Sequence, residues 1–289
     1  MSLIKEFKSL INRSNTVEII RSGLIGDDVE IKGPFGPTRL IYADYVASGR
    51  ALDQVEDFIR QKVLPFYANS HTEASFCGAF MTDLREASRK EIARMTGAGQ
   101  GTSVVFTGAG STSAINRLVS LLGLSGIIDR GKRAVVLVGP YEHHSNLLPW
   151  RESGAEVIEI LEGACGGPCK EHLIQVLKDV SSAEIIVGAF ASASNVTGFI
   201  SDVSGVTRIL RTYSAIAVRD YGCGAPYMSM SMRSDCSDSK DAIVFSPHKF
   251  LGGPGASGVL VVRDKVVRSL TPSVPGGGTV NFVSPWGQT

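Results

Sequence analysis

The sequence has little excess charge, few cysteines and no long, uniformly apolar stretch. Its 29 lysines and arginines are balanced by 28 aspartates and glutamates, so the formal net charge is only +1. This balance argues against a polyanion-binding surface, and nucleic acid is not an expected partner. The chain starts with an amphipathic pattern and lacks the apolar core of a signal peptide, and we expect no stretch long enough to span a bilayer. A membrane partner is therefore not expected either.

The five cysteines are an odd number and form no disulfide-like framework. This pattern favours a reducing, cytoplasmic setting. Cys165 and Cys169 could be read as a metal pair, but structural zinc takes about four ligands and no partners stand near these two in the sequence. We therefore expect ordinary loop cysteines and no metal site.

Short apolar runs recur along the chain, with helical patterns between most of them. The runs are Ser103–Phe106, Ala134–Val138, Glu156–Ile160, Glu184–Phe190, Ala215–Val218, Ala242–Phe245 and Gly258–Val262. Continuous apolar strands are typical of a sheet that is covered on both faces. Alternation with helices predicts an α/β fold with a mainly parallel, seven-stranded sheet. The Gly-rich link Leu251–Ala256 could turn the final strand antiparallel.

The predicted helical patterns lie before and between these apolar runs. They cover Leu52–Phe66, Leu84–Met95, Ser111–Leu124, Glu171–Val180 and Val203–Tyr213. We predict an N-terminal helical segment, residues 1–40, followed by a large domain, residues 41–289. Because the chain stops in the Gly- and Pro-rich string SVPGGGTVNFVSPWGQT, we expect the large domain to be incomplete at its C-terminus.

One segment that can carry chemistry is SPHKFLGGPG, which follows the predicted strand DAIVF. A lysine at a strand end is usually a solvated charge. Here Lys249 follows Ser246 and His248 and precedes a Gly-rich turn that lets backbone approach a ligand. A partly desolvated lysine amine can attack an aldehyde, and Ser246 and His248 could donate hydrogen bonds to a nearby phosphate.

A second segment is FTGAGSTSAIN, in which a strand leads through glycines into a helix. The free N–H groups at the start of that helix form an anion site, with Gly110, Ser111 and Thr112 as the natural phosphate contacts. The glycine spacing fits neither a P-loop nor a dinucleotide-binding motif. A plain capped turn is the alternative for this segment alone.

Three further polar residues follow predicted strands and should meet at the same edge of the sheet. Asp220 could keep a pyridine nitrogen protonated by charge pairing, although most lone aspartates only cap loops. His143, the first histidine of EHH, is better placed to stack on a planar cofactor than to share a metal with its neighbour. Asn195 carries an amide that could bond a phenolic oxygen.

In this order, the strings FTGAGSTSAIN, YEHHSNLLPW, ASNVTG, the strand-end Asp220 and SPHKF resemble the pyridoxal-phosphate (PLP) dependent aminotransferase class V family. That family includes cysteine desulfurases, selenocysteine lyases and relatives of kynureninase. IYADYVASGRAL and Ala68–His71 resemble its N-terminal motifs. The resemblance runs from about Ile41 to Val283 and implies a PLP-dependent transferase fold of type I, whose small C-terminal domain is expected to be missing here.

The resemblance implies a role for each site residue. Lys249 would form the internal aldimine with PLP, Asp220 would pair with the pyridinium nitrogen, and His143 would stack on the ring. Asn195 would bond the ring hydroxyl. The phosphate would be held by Gly110, Ser111, Thr112, Ser246 and His248. The loop Gly276–Thr279 would reach the neighbouring subunit's site through Thr279, which implies a homodimer with shared active sites.

The expected function is therefore a PLP-dependent lyase or transferase that acts on a small amino acid, similar to cysteine desulfurase or selenocysteine lyase. The alternative is a truncated, inactive form that only binds PLP or dimerises. A dinucleotide-binding oxidoreductase would suit the sheet but not the glycine pattern. Cys223 stands where desulfurases carry a glutamine near the ring hydroxyl, and a thiol is a poor hydrogen-bond donor.

Overall fold

The computed structural model describes residues 3–70, 73–233, 236–269, 271–276, 279–280 and 282–288. The helices are α1 Leu3–Ile11, α2 Thr16–Ser22, α3 Asp53–Phe58, α4 Phe76–Met95, α5 Gly110–Leu121, α6 Leu124–Asp129, α7 Leu148–Glu152, α8 Lys170–Asp179 and α9 Val203–Thr212. The strands are β1 Glu30–Gly33, β2 Gly36–Arg39, β3 Thr102–Gly108, β4 Ala134–Val138, β5 Glu156–Glu159, β6 Ile185–Ala191, β7 Ile216–Asp220, β8 Ala242–Phe245, β9 Gly258–Arg263, β10 Val283–Ser284 and β11 Gly287–Gln288.

A seven-stranded sheet with the strand order β3-β9-β8-β7-β6-β4-β5 positions the rest of the chain. The strands β4 to β8 run parallel to one another, whereas β9 lies antiparallel between β3 and β8. Every predicted strand forms, and the last one is antiparallel, as the Gly-rich link indicated. The prediction of an α/β fold with a mainly parallel, seven-stranded sheet is confirmed.

Helices cover both faces of the sheet, which explains why its strands are apolar without alternation. Side chains of β4 point alternately to the two faces. Val136 and Val138 pack in the cluster that contains α5 and α6, and Val135 and Leu137 pack in the cluster that contains α8 and α9. All four side chains are buried, so both faces of each central strand contribute to the hydrophobic core.

The predicted helix Ser111–Leu124 is two helices, because Gly123 adopts a φ of 66° between α5 and α6. Together they form an apolar run, Gly110–Asp129, that is long enough to cross a membrane by length and composition. The prediction that no stretch is long enough was therefore wrong. The core helix of a soluble protein passes the same test, and Ile115 and Leu118 of this run are fully buried against the sheet.

The predicted helices nearer the N-terminus also differ in extent. α4 begins at Phe76, before the predicted Leu84, because the hydroxyl of Ser75 accepts a hydrogen bond from the N–H of Gly78 at 3.1 Å and caps the helix. The predicted helix Leu52–Phe66 forms as α3 followed by a π-helical turn and a 3₁₀ turn. The sequence periodicity therefore located these helices but not their ends.

Residues 3–40 contain α1, α2 and a two-stranded antiparallel hairpin of β1 and β2. The hairpin was not predicted, although its turn, Gly33–Gly36, has the Gly-Pro composition of a tight turn. The segment packs on the following residues: the ring of Phe7 lies 5.0 Å from that of Phe58, and Lys8 pairs with Glu91. A domain boundary at residue 40 stays a prediction.

Candidate active site

A cavity of about 480 Å³ opens where the parallel strands end. Loops that follow β4, β6, β7 and β8 contribute to its wall, as does the start of α5. The carboxyl edge of an open α/β sheet is where ligands bind in this architecture. The cavity is lined by Asp44, Val46, Ala47, Ala109, Gly110, Ser111, Thr112, His143, Ser145, Ala191, Ala193, Asn195, Asp220, Gly222, Cys223, Ser246, His248 and Lys249.

The fold brings together nearly all the site residues that were predicted from the sequence. The catalytic and cofactor-binding candidates that line the one cavity are Gly110, Ser111, Thr112, His143, Asn195, Asp220, Ser246, His248 and Lys249. Thr279 is not among them: its hydroxyl bonds the backbone of Gly276, within its own loop. Gly277, Gly278 and His71 lie outside the described residues. The proposed role of Thr279 in a neighbouring subunit stays a prediction.

The start of α5 is held against the loop after β8. The Ser246 hydroxyl accepts a hydrogen bond from the N–H of Ser111 at 2.8 Å and lies 2.9 Å from the Ser111 hydroxyl. Gly110 has a φ of 61°, and a Cβ there would stand 2.5 Å from Cε1 of His248. Only glycine fits this approach, so the glycine that was predicted to contact phosphate also sets how closely the two loops meet.

Lys249 lies in a 3₁₀ turn, Pro247–Lys249, directly after β8. The carbonyl of His248 accepts a hydrogen bond from the N–H of Gly49 at 2.9 Å, which holds the segment around Ala47 against this turn. Burial, together with the charge of Lys249, lowers the pKa of His248. At neutral pH the His248 ring is therefore mainly neutral and offers one N–H donor.

Asp220 ends β7 and is 6% exposed. Its Oδ1 accepts a hydrogen bond from the N–H of Gly222 at 2.7 Å. Burial raises the pKa of the Asp220 carboxyl, and the positive charges of Lys249 and His143 partly oppose that rise. A carboxylate in this position is stabilised by any cation that enters the cavity beside it.

Ser145, which was not predicted, connects two of the predicted residues. Its hydroxyl lies 2.6 Å from the hydroxyl of Thr112 and 3.0 Å from Nδ1 of His143. The N–H of Ser145 also donates to Nδ1 at 3.1 Å, so a neutral His143 ring carries its proton on Nε2. Among the described residues, no group of three or more His, Cys, Asp and Glu side chains is placed to hold a metal ion.

Glu142 is a second carboxylate close to the site, and nothing in the sequence distinguishes it from other glutamates. Its two oxygens accept hydrogen bonds from the N–H of Ala191 at 2.9 Å, the N–H of Gly139 at 3.2 Å and the amide of Asn146 at 2.5 Å. Burial among these groups, together with the charge of Asp220, raises the pKa of Glu142 to about 7. Glu142 thus ties the loop that carries His143 to the end of β6.

This raised pKa predicts a pH-dependent stability. A carboxyl whose pKa is higher in the folded chain stabilises the fold fully below its unfolded pKa, and that contribution is lost as the pH rises through about 7. We expect the unfolding free energy to fall by about 2 kcal/mol between pH 5 and pH 8 through Glu142. Glu142→Gln should flatten this slope in urea titrations across that range.

The matched control is Glu152→Gln, an exposed glutamate at the end of α7 that should leave the slope as it is in the unmodified chain. An unchanged slope in Glu142→Gln, or an equal change in both variants, would refute the assignment to Glu142.

Cys223 lines the cavity at the place where the sequence comparison expected a hydrogen-bond donor to a ring hydroxyl. Its thiol donates to the carbonyl of Ala193 at 3.2 Å, so it is already engaged. Burial raises the pKa of Cys223, which keeps it as the neutral thiol, a poor nucleophile.

Residues 41–289 match the family model described as aminotransferase class-V. A probable cysteine desulfurase of Halalkalibacterium halodurans is 28% identical over 271 residues, which cover 91% of this chain and 62% of the relative. Another, of Aeropyrum pernix, is 30% identical over 249 residues, which cover 84% of this chain and 57% of the relative. The apo structure of a cysteine desulfurase from Thermococcus onnurineus matches with a TM-score of 0.71 at 28% identity, covering 86% of this chain and 60% of that one. This chain therefore spans about three fifths of the length of these relatives.

Proposed function

The chain belongs to the class V aminotransferase family, whose members depend on PLP, and from this premise we propose that it is an enzyme of the cysteine desulfurase type. Both the family resemblance and the type I fold are confirmed by these comparisons. The substrate class that we propose is a small amino acid, with cysteine as the first candidate because the relatives are named as probable cysteine desulfurases.

The described residues fit the cofactor. The cavity volume of about 480 Å³ lies within the usual range for small-molecule sites, about 300–1,000 Å³. One part of its wall is the start of α5 with the hydroxyls of Ser111 and Ser246, which suits a phosphate. Another part is the buried carboxylate of Asp220, whose raised pKa would be lowered by a pyridinium beside it. The observation that carries the proposal is that Lys249 and Asp220 share this cavity.

We assign the roles as follows. Bound PLP supplies an electron sink that stabilises negative charge at the substrate's α-carbon. The amine of Lys249 would hold the cofactor through the cofactor's aldehyde carbon. The Nζ of Lys249 would later take up and return the α-proton of the substrate. The carboxylate of Asp220 would keep the ring nitrogen protonated. The ring of His143 would lie on the cofactor ring, and the amide of Asn195 would bond its hydroxyl. Gly110, Ser111, Thr112, Ser246 and His248 would hold the phosphate.

The direct test is to add PLP to the purified chain and follow absorbance in the visible range. We expect a yellow protein that loses its colour on borohydride reduction, with the reduced label on the peptide that contains Lys249. Peptide mapping by mass spectrometry locates the label among all the lysines. A chain that stays colourless with excess PLP, or a label on another lysine, would contradict the proposal.

A second candidate is a form that binds PLP without turnover. It is favoured by one observation: among the described residues that line the cavity, none is an arginine that could pair with a substrate carboxylate. Alanine release from cysteine by the loaded chain decides between the two, with dithiothreitol present as the reductant that frees the sulfur as sulfide. Release at a rate proportional to chain concentration supports the enzyme, and full loading without release supports the second candidate.

Homodimerisation through the loop of Thr279, and a cytoplasmic location, remain parts of the proposal. Sedimentation of the PLP-loaded chain tests the homodimer. If the chain is a monomer at all concentrations, an active site shared between two subunits is ruled out. The formal net charge of the chain is only +1, which supports neither a nucleic-acid nor a membrane partner, and none is proposed.

A further inference from the structure

A second cavity, of about 360 Å³, lies on the side of β7 opposite to the side chain of Asp220. Arg219 and Asp220 are consecutive in β7, so their side chains point to opposite faces. Asp220 lines the first cavity, whereas Arg219 bonds Thr207 of α9. The start of α9 and the loop after β7 line the second cavity, which places it on the side of Arg219.

Lys240 lines this cavity and is 2% exposed. Over the described part of the chain, no carboxylate lies within ion-pair distance of its ammonium. Asp238, a nearby acid, is occupied: one oxygen pairs with Arg233 at 2.7 Å, and the other accepts a hydrogen bond from Ser204 at 2.7 Å. Burial, together with the neighbouring charge of Arg219, lowers the pKa of Lys240 to about 8. Lys240 is therefore a buried amine without a counterion among the described residues.

Arg219 is the second such cation, and its side chain is wholly buried. Nε and Nη2 donate to the hydroxyl of Thr207 at 3.1 Å and 2.9 Å, and Nη2 also donates to the carbonyl of Val203 at 3.2 Å. All of these acceptors are neutral. Nη1 is buried with no partner in the described structure. Burial lowers the pKa of Arg219 to about 10, so the group is still charged at neutral pH.

The other charges around the cavity neutralise one another. Arg233 pairs with Asp238, and Lys170 pairs with Asp202 at 2.6 Å. The carboxylate of Asp202, which also lines the cavity, is further held by the N–H of Gly205 at 2.8 Å and caps α9. Among the described residues, Arg219 and Lys240 are thus left without a carboxylate partner, and the guanidinium of Arg219 lies 5.3 Å from the centroid of the Phe190 ring. Burying a charge without a partner is costly, and the cost is removed when a counterion enters.

We propose that this cavity binds a small phosphate-class oxyanion, free or as a simple ester. A phosphate is negatively charged near neutral pH and would pair with the ammonium of Lys240, which lines the cavity. Arg219 is not among the lining residues, but its charge acts on Lys240 and adds to the positive potential there. The cavity also offers the hydroxyls of Ser201, Tyr221, Ser229 and Ser231, which are donors suited to oxyanion oxygens. The site is separate from the proposed cofactor phosphate site and does not depend on the proposed function.

The test is protection of Lys240 from reductive methylation with formaldehyde, measured residue by residue by mass spectrometry on the PLP-treated chain. The anion probes are inorganic phosphate and glycerol 3-phosphate, each compared with sodium chloride at equal ionic strength. At about ten times the dissociation constant, labelling of Lys240 should slow about tenfold, because only the unoccupied fraction reacts. Lys132, an exposed lysine beyond α6, should label at an unchanged rate. Because the hydride reductant would fix PLP on Lys249, the fraction of the Lys249 peptide that carries the cofactor reports separately on the cofactor site.

Equal protection by the two probes assigns the site to the free anion, and stronger protection by the ester assigns it to an esterified phosphate. An unchanged Lys240 rate with both probes, or the same slowing with chloride, overturns the proposal. Lys240→Met gives a second measurement. It removes an unpaired buried charge and should fold, and the rise in melting temperature that phosphate gives the unmodified chain should largely disappear. Lys132→Met should keep that rise, and an equal rise in both variants would also overturn the proposal.

Discussion

Replacement of Lys249 by alanine is expected to remove both the borohydride-fixed label and turnover. Lys249 lines the cavity with Asp220, and no other lysine is among the described residues that line it. Without its amine, PLP would be held only by non-covalent contacts and would leave on gel filtration. The proton transfer assigned to Nζ would also be lost, and a positioned acid–base group contributes about 10²- to 10⁴-fold to rate. The measurements are visible absorbance after gel filtration and release of alanine from cysteine.

Lys178→Ala is the matched control, because Lys178 is an exposed lysine on α8, away from the cavity. It should keep full loading and rate. Circular dichroism of Lys249→Ala should match the unmodified chain, since the sheet core does not include this side chain. If Lys249→Ala retained the label after reduction, the assigned lysine would be wrong.

Asp220→Asn is expected to have opposite effects on the loaded and the cofactor-free chain. In the loaded chain, the pyridinium would lose its buried charge partner, and removing one member of a buried pair costs about 3–5 kcal/mol. Turnover or retention of PLP should therefore fall by about 10²- to 10⁴-fold. The amide oxygen can still accept the hydrogen bond from the N–H of Gly222, so the loop geometry should be kept.

In the cofactor-free chain, the same substitution should be neutral or stabilising at pH 8. Burial raises the pKa of Asp220, so its ionisation in the folded state is costly. The stability that accompanies protonation is present below the unfolded pKa and is lost as the pH rises through the folded pKa. Urea unfolding at pH 5 and pH 8 measures this, with Asp129→Asn, an exposed acid of α6, as the control. Destabilisation of the cofactor-free Asp220→Asn chain at pH 8 would show that the carboxylate is structural.

The two predictions concern residues that were found from the sequence because each one ends or follows an apolar run. A strand covered on both faces must be apolar throughout, and the first polar residue after it marks the sheet edge. That reasoning found Asp220, Lys249 and Ser246. It could not find Ser145, whose hydrogen bonds to Thr112 and His143 depend on how two loops meet.

Glu142 and Lys240 show the same limit for charged residues. In the sequence each is one of many ordinary acids or bases, and most such residues are solvated. Glu142 differs because N–H groups from β6 and from its own loop close around it. Lys240 differs because the packed chain leaves it only 2% exposed, at the wall of the second cavity. Neither environment can be predicted from the residues that are adjacent in the sequence.

The amino-acid sequence by itself determined the seven strands and the set of polar residues at the sheet edge, because strand burial and strand ends are local properties of an apolar pattern. The Gly-rich link only allowed an antiparallel last strand, and the packed sheet decided it. The tertiary structure decided which charges were left without partners. Whether a buried group such as Arg219 meets a counterion depends on elements distant in sequence, here β7, α9 and the loop before β8. Desolvation is a property of the packed chain, so the second cavity could be recognised only after the fold was known.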